Sequence, residues 1–197
     1  GDGGYDCTEK AVLEMAKNGA DLIELGVPFS DPIAEGPVIQ CASERSLRSG
    51  TTLVGIFDLV RRLRKETDVP LLLMMYLNTI FRFGTDRFFA LCEECGIDGV
   101  IVPDIPFEEK DEIQGSADAH NVHNISLVTP TSHDRIAMIA KEAEGFGISE
   151  PKQAKKMAAQ SDGVIVGSAI VKLCEKYGAD CVPHISTFVK EMKDAIR

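Results

Sequence analysis

The feature that most constrains this chain is an alternation of two patterns. Short apolar runs of strand length are separated by longer amphipathic segments with helical periodicity. The runs are 21–27 (DLIELGV), 69–76 (VPLLLMMY), 98–103 (DGVIVP), 124–128 (NISLV) and 162–166 (DGVIV). Helical patterns fall at about 7–18, 52–66, 85–95, 108–120, 132–143, 150–160 and 184–196. In TTLVGIFDLVRRLRKE, Leu53, Val54, Ile56, Phe57, Leu59, Val60 and Leu63 make one apolar face against a basic far side. Near-continuous apolar strands suit a parallel sheet covered on its faces, and their alternation with helices predicts βαβ crossovers.

Two stretches echo each other, CGIDGVIVPD and QSDGVIVGSA. Repeated βα units predict a (β/α)8 TIM barrel or an open doubly wound sheet. The barrel is favoured because Glu24, Tyr76, Asp104 and Gly167-Ser168 all lie within or just after strand runs. That is the face where barrel enzymes place their chemistry. No linker or low-complexity tract interrupts the chain, so a single domain is expected over 1–197. A complete barrel needs about 250 residues, and this chain has 197. The shortfall can be located: the chain opens on GDGG with no strand before it, and in IAMIAKEAEGFGISEPKQA only Gly145 to Ser149 separate two helical patterns. Strand 1 and the strand 6/loop 6 region are therefore expected to be missing from this sequence, either because the barrel is incomplete or because the sequence omits stretches of a longer protein.

The net charge of −10 argues against a generic nucleic-acid binder. No apolar stretch approaches the roughly 20 residues of a membrane span, and the first residues lack the pattern of a signal peptide. Six cysteines are scattered, and the one CxxC, Cys92 and Cys95, has no second pair to complete a zinc site. The expectation is buried or half-buried helix thiols, no metal, and a cytoplasmic location.

Candidate chemistry lies at the strand ends. Glu24 sits inside an apolar strand, where a buried carboxylate needs a partner or a raised pKa; an edge-strand glutamate facing water is the bland alternative. Glu35 follows on a loop stiffened by Pro28, Pro32 and Pro37, and two carboxylates near one dry site can form an acid/base pair. Tyr76 closes the second run and could simply rim the core; Asp104 could orient a loop or cap a turn. GFGIS at 145–149 and VGSAIVK at 166–172 each put glycine and serine ahead of a helix. One such loop is ordinarily a cap, whereas two after late strands match the phosphate site of barrels. The four histidines show no ligand spacing and suit surface or capping roles. No GxSxG, HExxH or dinucleotide fingerprint occurs.

IELGVPFSDPIAEGPVIQ, LLMMYLN, GVIVPDIPFEE, GFGIS and VGSAIVK, in that order across almost the whole chain, resemble the tryptophan synthase alpha subunit. The resemblance implies a (β/α)8 barrel that cleaves indole-3-glycerol phosphate to indole and glyceraldehyde 3-phosphate. It implies no cofactor in this chain, and a beta-subunit partner that carries pyridoxal phosphate in an alpha2-beta2 heterotetramer. By position, Glu24 matches the catalytic glutamate. Glu35 stands where the family has a catalytic aspartate, one methylene shorter, that accepts the indole N–H. Tyr76 matches a residue lining the indole pocket. Gly147, Gly167 and Ser168 match the phosphate cradle, with Phe146 beside it, and Pro28, Asp31 and Pro32 fall on the partner-facing loop. Two other readings stand beside the lyase. One is a non-catalytic alpha-type subunit that activates its partner. The other is a different phosphate-binding barrel, although a Schiff-base aldolase would need a strand lysine and the five runs have none.

Overall fold

The computed structural model of the chain describes residues 1–33, 35–127, 143–144, 149–158 and 163–196. Five strands form one all-parallel sheet in chain order: β1 (Ile23–Gly26), β2 (Leu71–Met74), β3 (Gly99–Ile101), β4 (His123–Leu127) and β5 (Ala143–Glu144). The helices are α1 (Tyr5–Lys17), α2 (Pro37–Arg48), α3 (Leu53–Leu63), α4 (Leu77–Phe83), α5 (Thr85–Cys95), α6 (Asp111–Ala119), α7 (Pro151–Ala158), α8 (Ser168–Tyr177) and α9 (Val182–Ile196). Parallel neighbours joined by helices are the expected βα repeat.

The core lies between the sheet and its helices. Leu71, Leu73 and Val100 meet Phe57, Val60, Leu63, Phe88 and Cys92 there. Phe88 packs edge-on to Phe89, centroids 5.1 Å apart, and tilted to Phe57 at 5.9 Å, arrangements that suit the ring quadrupoles. Cys92 and Cys95 are buried on α5 as expected, and burial pushes both thiols up. A second cluster, Cys7, Ala11, Cys181, Ile185 and Val189, joins α1 to α9.

Glycine is required at one strand position. A Cβ on Gly99 would lie 2.8 Å from the His123 carbonyl oxygen and 2.8 Å from Leu72 Cδ2. The DG that opens the third apolar run therefore marks close approach of β3 to β4, with Leu72 filling the space in front of it.

Three expectations need correction. The run 162–166 carries no strand at 163–166 among the described residues. Its two-residue alternation survives without a ladder, because Val164 and Val166 pack beside Ala154 and Met192. Apolar alternation alone does not make a strand; a neighbouring backbone must accept the ladder. The helix expected over 132–143 lies outside the described residues except Ala143, which pairs with Ser126 as a strand. Two helices, α2 and α4, carried too weak an apolar period to be expected. Helix α2 buries only Ala42 and Ser46, and begins after Gly36 with Pro37 in its first turn. Helix α4 is seven residues long and ends at Gly84, φ 95°.

At the amino ends of the strands one side chain ties two loops. Arg64, at the end of α3, donates to the Gly96 carbonyl at 2.7 Å, the Val69 carbonyl at 2.6 Å and Asp98 at 2.6 Å. The same Asp98 oxygen accepts the Leu71 amide at 2.8 Å. Arg64→Met leaves the Gly96 and Val69 carbonyls, and that of Thr67 at 3.4 Å, without this donor. It should lower stability by about 1–3 kcal/mol in urea unfolding, whereas a loss below the error of that measurement would show the tie to be idle.

On the helix side, half-buried His120 meets Glu93 at 3.0 Å and Asp86 at 3.3 Å, and Asn121 donates to Glu93 at 2.9 Å. The Glu93 hydrogen bond raises the His120 pKa and Asp86 adds to it; His120 and Asn121 lower that of Glu93. A raised histidine pKa contributes stability that is complete below its unfolded value and lost as pH rises through the folded one; the lowered carboxylate contributes above its own unfolded value. His120→Gln should therefore differ most from the native chain in melting temperature at about pH 5–6 and converge with it as pH climbs past about 8. A difference that grew with rising pH would contradict this.

Candidate active site

The two-residue period sorts β1 and β2 into two faces. Ile23, Leu25 and Val27, with Leu71, Leu73 and Met75, belong to the core. Glu24 and Gly26, with Leu72 and Met74, take the other face. In the ladder Glu24 stands beside Leu72, Leu72 beside Gly99, and Gly26 beside Met74. Glu24 is half-buried in a row whose neighbours are an isobutyl group and a bare glycine. The ladder on either side of it fixes its backbone.

Tyr76 continues the same face one step beyond β2. Its backbone stays extended (φ −79°, ψ 144°), Met75 donates to the Ile101 carbonyl at 3.0 Å, and the ring is 3% exposed. The next residue, Leu77, opens α4, and its amide donates to the Asp104 carboxylate at 3.0 Å. Of the two roles open to Asp104, the structure assigns the cap, supplied from the loop after β3.

The loop after β1 folds back onto this tyrosine. Phe29 stacks on the Tyr76 ring at 4.8 Å and 25°, the Ile33 amide donates to its hydroxyl at 2.9 Å, and that hydroxyl donates to Glu35 Oε2. Gln40 of α2 donates to the Glu35 carbonyl at 2.9 Å. The structure thus joins Glu35 to Tyr76, while Glu24 lies on the adjoining strand with its side chain on the same face. Phe29, Ile33 and Gln40 carry no signal of this in the sequence beyond lying in or beside the proline-rich loop. On that loop, Pro28 and Pro32 are half-buried, and Asp31 is exposed and accepts from the Ser30 hydroxyl at 2.5 Å.

Gly167 and Ser168 are exposed at the amino end of α8, which has ten residues and no side-chain cap. A Cβ on Gly167 would meet nothing within 4 Å among the described residues. Phe146 and Gly147, the other half of the expected cradle, lie outside the described residues, as does His133. No group of three or more His, Cys, Asp or Glu that could hold a metal occurs among the described residues. Among those residues, no helix is long and apolar enough to cross a membrane.

Comparison with known proteins gives this arrangement a family. The family model described as "Tryptophan synthase alpha chain" matches residues 1–146 and 142–197. The chain belongs to the tryptophan synthase alpha chain family. A relative of that name from Geobacter sp. (strain M21) is 41% identical over 237 residues, covering 100% of this chain and 89% of the relative. The crystal structure of tryptophan synthase subunit alpha from Legionella pneumophila str. Paris matches with a TM-score of 0.89 at 34% identity, covering 97% and 87% of the two chains. A structure of the tryptophan synthase a2b2 complex from Pyrococcus furiosus matches with a TM-score of 0.89 at 28% identity, covering 98% and 94%.

The fold is thus that of the tryptophan synthase alpha (β/α)8 barrels, of which the described strands form a five-stranded parallel wall. With all 197 residues aligned over 237 positions, about 40 positions of the Geobacter relative have no counterpart here. The two matched stretches meet at 142–146, beside the place where the sequence is too short for a strand and its loop.

The Asp104 cap can be tested through stability alone. Asp104→Ala should cost about 0.5–2 kcal/mol in thermal unfolding, the usual range for a lost helix cap. An unchanged melting temperature would mean that the Leu77 amide finds another acceptor.

Proposed function

We propose that the carboxyl ends of β1 and β2 cleave indole-3-glycerol phosphate to indole and glyceraldehyde 3-phosphate, by retro-aldol acid/base chemistry within tryptophan biosynthesis. The observation that carries this is Glu24, half-buried, fixed by the ladder and turned away from the core. In this reading Glu24 protonates the indole ring carbon and helps take the proton of the glycerol hydroxyl. Protonation makes the indole ring the electron sink, so the step needs no cofactor in this chain. Glu35 accepts the indole N–H and steadies the charge that develops there, and Tyr76 flanks the ring. The roles call for unlike carboxylates, one immobile and one carried on a loop, and the two glutamates are held in those two ways.

The phosphate goes to the amino end of α8, where Gly167 and Ser168 offer backbone amides and the positive end of the helix dipole. By family likeness Gly147 joins this cradle, with Phe146 beside it. The partner is a beta subunit that carries pyridoxal phosphate, in an alpha2-beta2 assembly, and it meets the loop bearing Pro28, Asp31 and Pro32. Support for this face comes from Ile33, whose side chain is 83% exposed on the same loop, an apolar surface suited to being covered. A cytoplasmic location would keep the Cys7 and Cys181 thiols, 3.5 Å apart, reduced.

Glu24→Gln tests the reading because it keeps shape and removes the transferable proton. Indole release, assayed with beta subunit present, should fall roughly a hundredfold to ten-thousandfold, with substrate still bound. Should the native chain release no indole, alone or with beta subunit, while still raising beta activity, the chain would be a non-catalytic activator and the lyase assignment would fail.

A further inference from the structure

Tyr76 is tied down more completely than lining a pocket requires. Its backbone is fixed on both sides, by the ladder bond from Met75 to Ile101 and by the Asp104 cap on Leu77. Its ring is stacked on Phe29 and almost fully buried. The hydroxyl accepts the Ile33 amide and donates its single proton to Glu35 Oε2. A phenol has one proton to give, so accepting from Ile33 leaves that proton to be directed at the carboxylate.

Glu35 is fixed from the other end as well. Gln40 holds its carbonyl, and the Gly36 carbonyl accepts from the Ile39 and Gln40 amides, each at 3.1 Å, as α2 begins. The side chain thus spans two anchored points, the start of α2 and the end of β2. With Oε2 occupied by Tyr76, Oε1 has no partner among the described residues, and it is the oxygen left to accept a substrate N–H.

We propose that Tyr76 is a positioning residue: its phenol registers the loop after β1 against β2 and aims the Glu35 carboxylate at the substrate. This rests on the role given above to Glu35 as acceptor of the indole N–H. A group that sets the aim of an acceptor affects the transition state, where charge develops, more than the binding of ground-state substrate. Tyr76→Phe removes one oxygen and keeps the ring that stacks on Phe29, so it isolates the phenol.

With indole-3-glycerol phosphate and beta subunit present, Tyr76→Phe should lower kcat about tenfold to a hundredfold with KM within about twofold. Glu35→Gln should lower kcat further, and the double variant should be no slower than Glu35→Gln alone. Independently of turnover, the Ile33 amide should exchange with solvent faster in Tyr76→Phe, because it has lost its acceptor. Costs that multiply in the double variant, a change confined to KM, or unchanged Ile33 exchange would each overturn the proposal. Failure of the lyase reading shows differently, as absence of indole from the native chain.

Discussion

A parallel ladder lets each residue of a strand face one side of the sheet, and in this chain that constraint separates structure from chemistry. Ile23, Leu25 and Val27 are committed to the core, as are Leu71, Leu73 and Met75. Glu24 can then only face the other way, and Tyr76, one step past β2, follows it. Sliding β1 by one residue against β2 would send Glu24 into the cluster of Phe57, Phe88 and their neighbours, where an unpaired carboxylate costs several kcal/mol. The hydrophobic register and the placement of the carboxylate are one constraint.

Period is what the sequence carries most plainly, and the elements with a strong period were legible. Four of the five apolar runs are strands, and the helices over 53–63 and 85–95 follow their apolar faces closely. The fifth run shows the limit. DGVIV occurs twice, but at 98–102 it lies between β2 and β4, while at 163–166 its valines rest on helices with no ladder among the described residues. Identical pentapeptides therefore differ through their neighbours, which no local pattern encodes. Helix α2 escaped for a related reason: its ends are fixed by Gly36, Pro37 and the backbone turn at Ser49, and its face buries little.

The candidate site divides along the same line. Glu24 could be singled out because a carboxylate in an apolar run is conspicuous wherever the run packs. The Asp104 cap could be anticipated only as one of two roles, since its partner Leu77 is 27 residues away. The contact of Tyr76 with Glu35 spans 41 residues, and it exists only because β1 and β2 are neighbours and the intervening loop turns back. Positions of single residues came from pattern and from family likeness; their pairing needed the sheet.

The two carboxylates also differ in what it takes to move them. Glu24 is displaced only by moving β1, held on either side of it by Ile23 and Val27, which donate to the Pro70 and Met74 carbonyls, each at 2.9 Å. Glu35 is held by a phenol, a glutamine amide and the stacking of Phe29, interactions worth about 1 kcal/mol each, set against an entropy cost of about 1–2 kcal/mol for every loop residue kept in one conformation. Such a loop sits near balance. Small differential contacts at its exposed Ile33 and Asp31 can then shift the fraction of molecules in which Glu35 meets Tyr76, without disturbing the strand that carries Glu24. One carboxylate fixed in a strand beside another carried on an adjustable loop lets one wall of the sheet keep its geometry while the loop responds to whatever covers it.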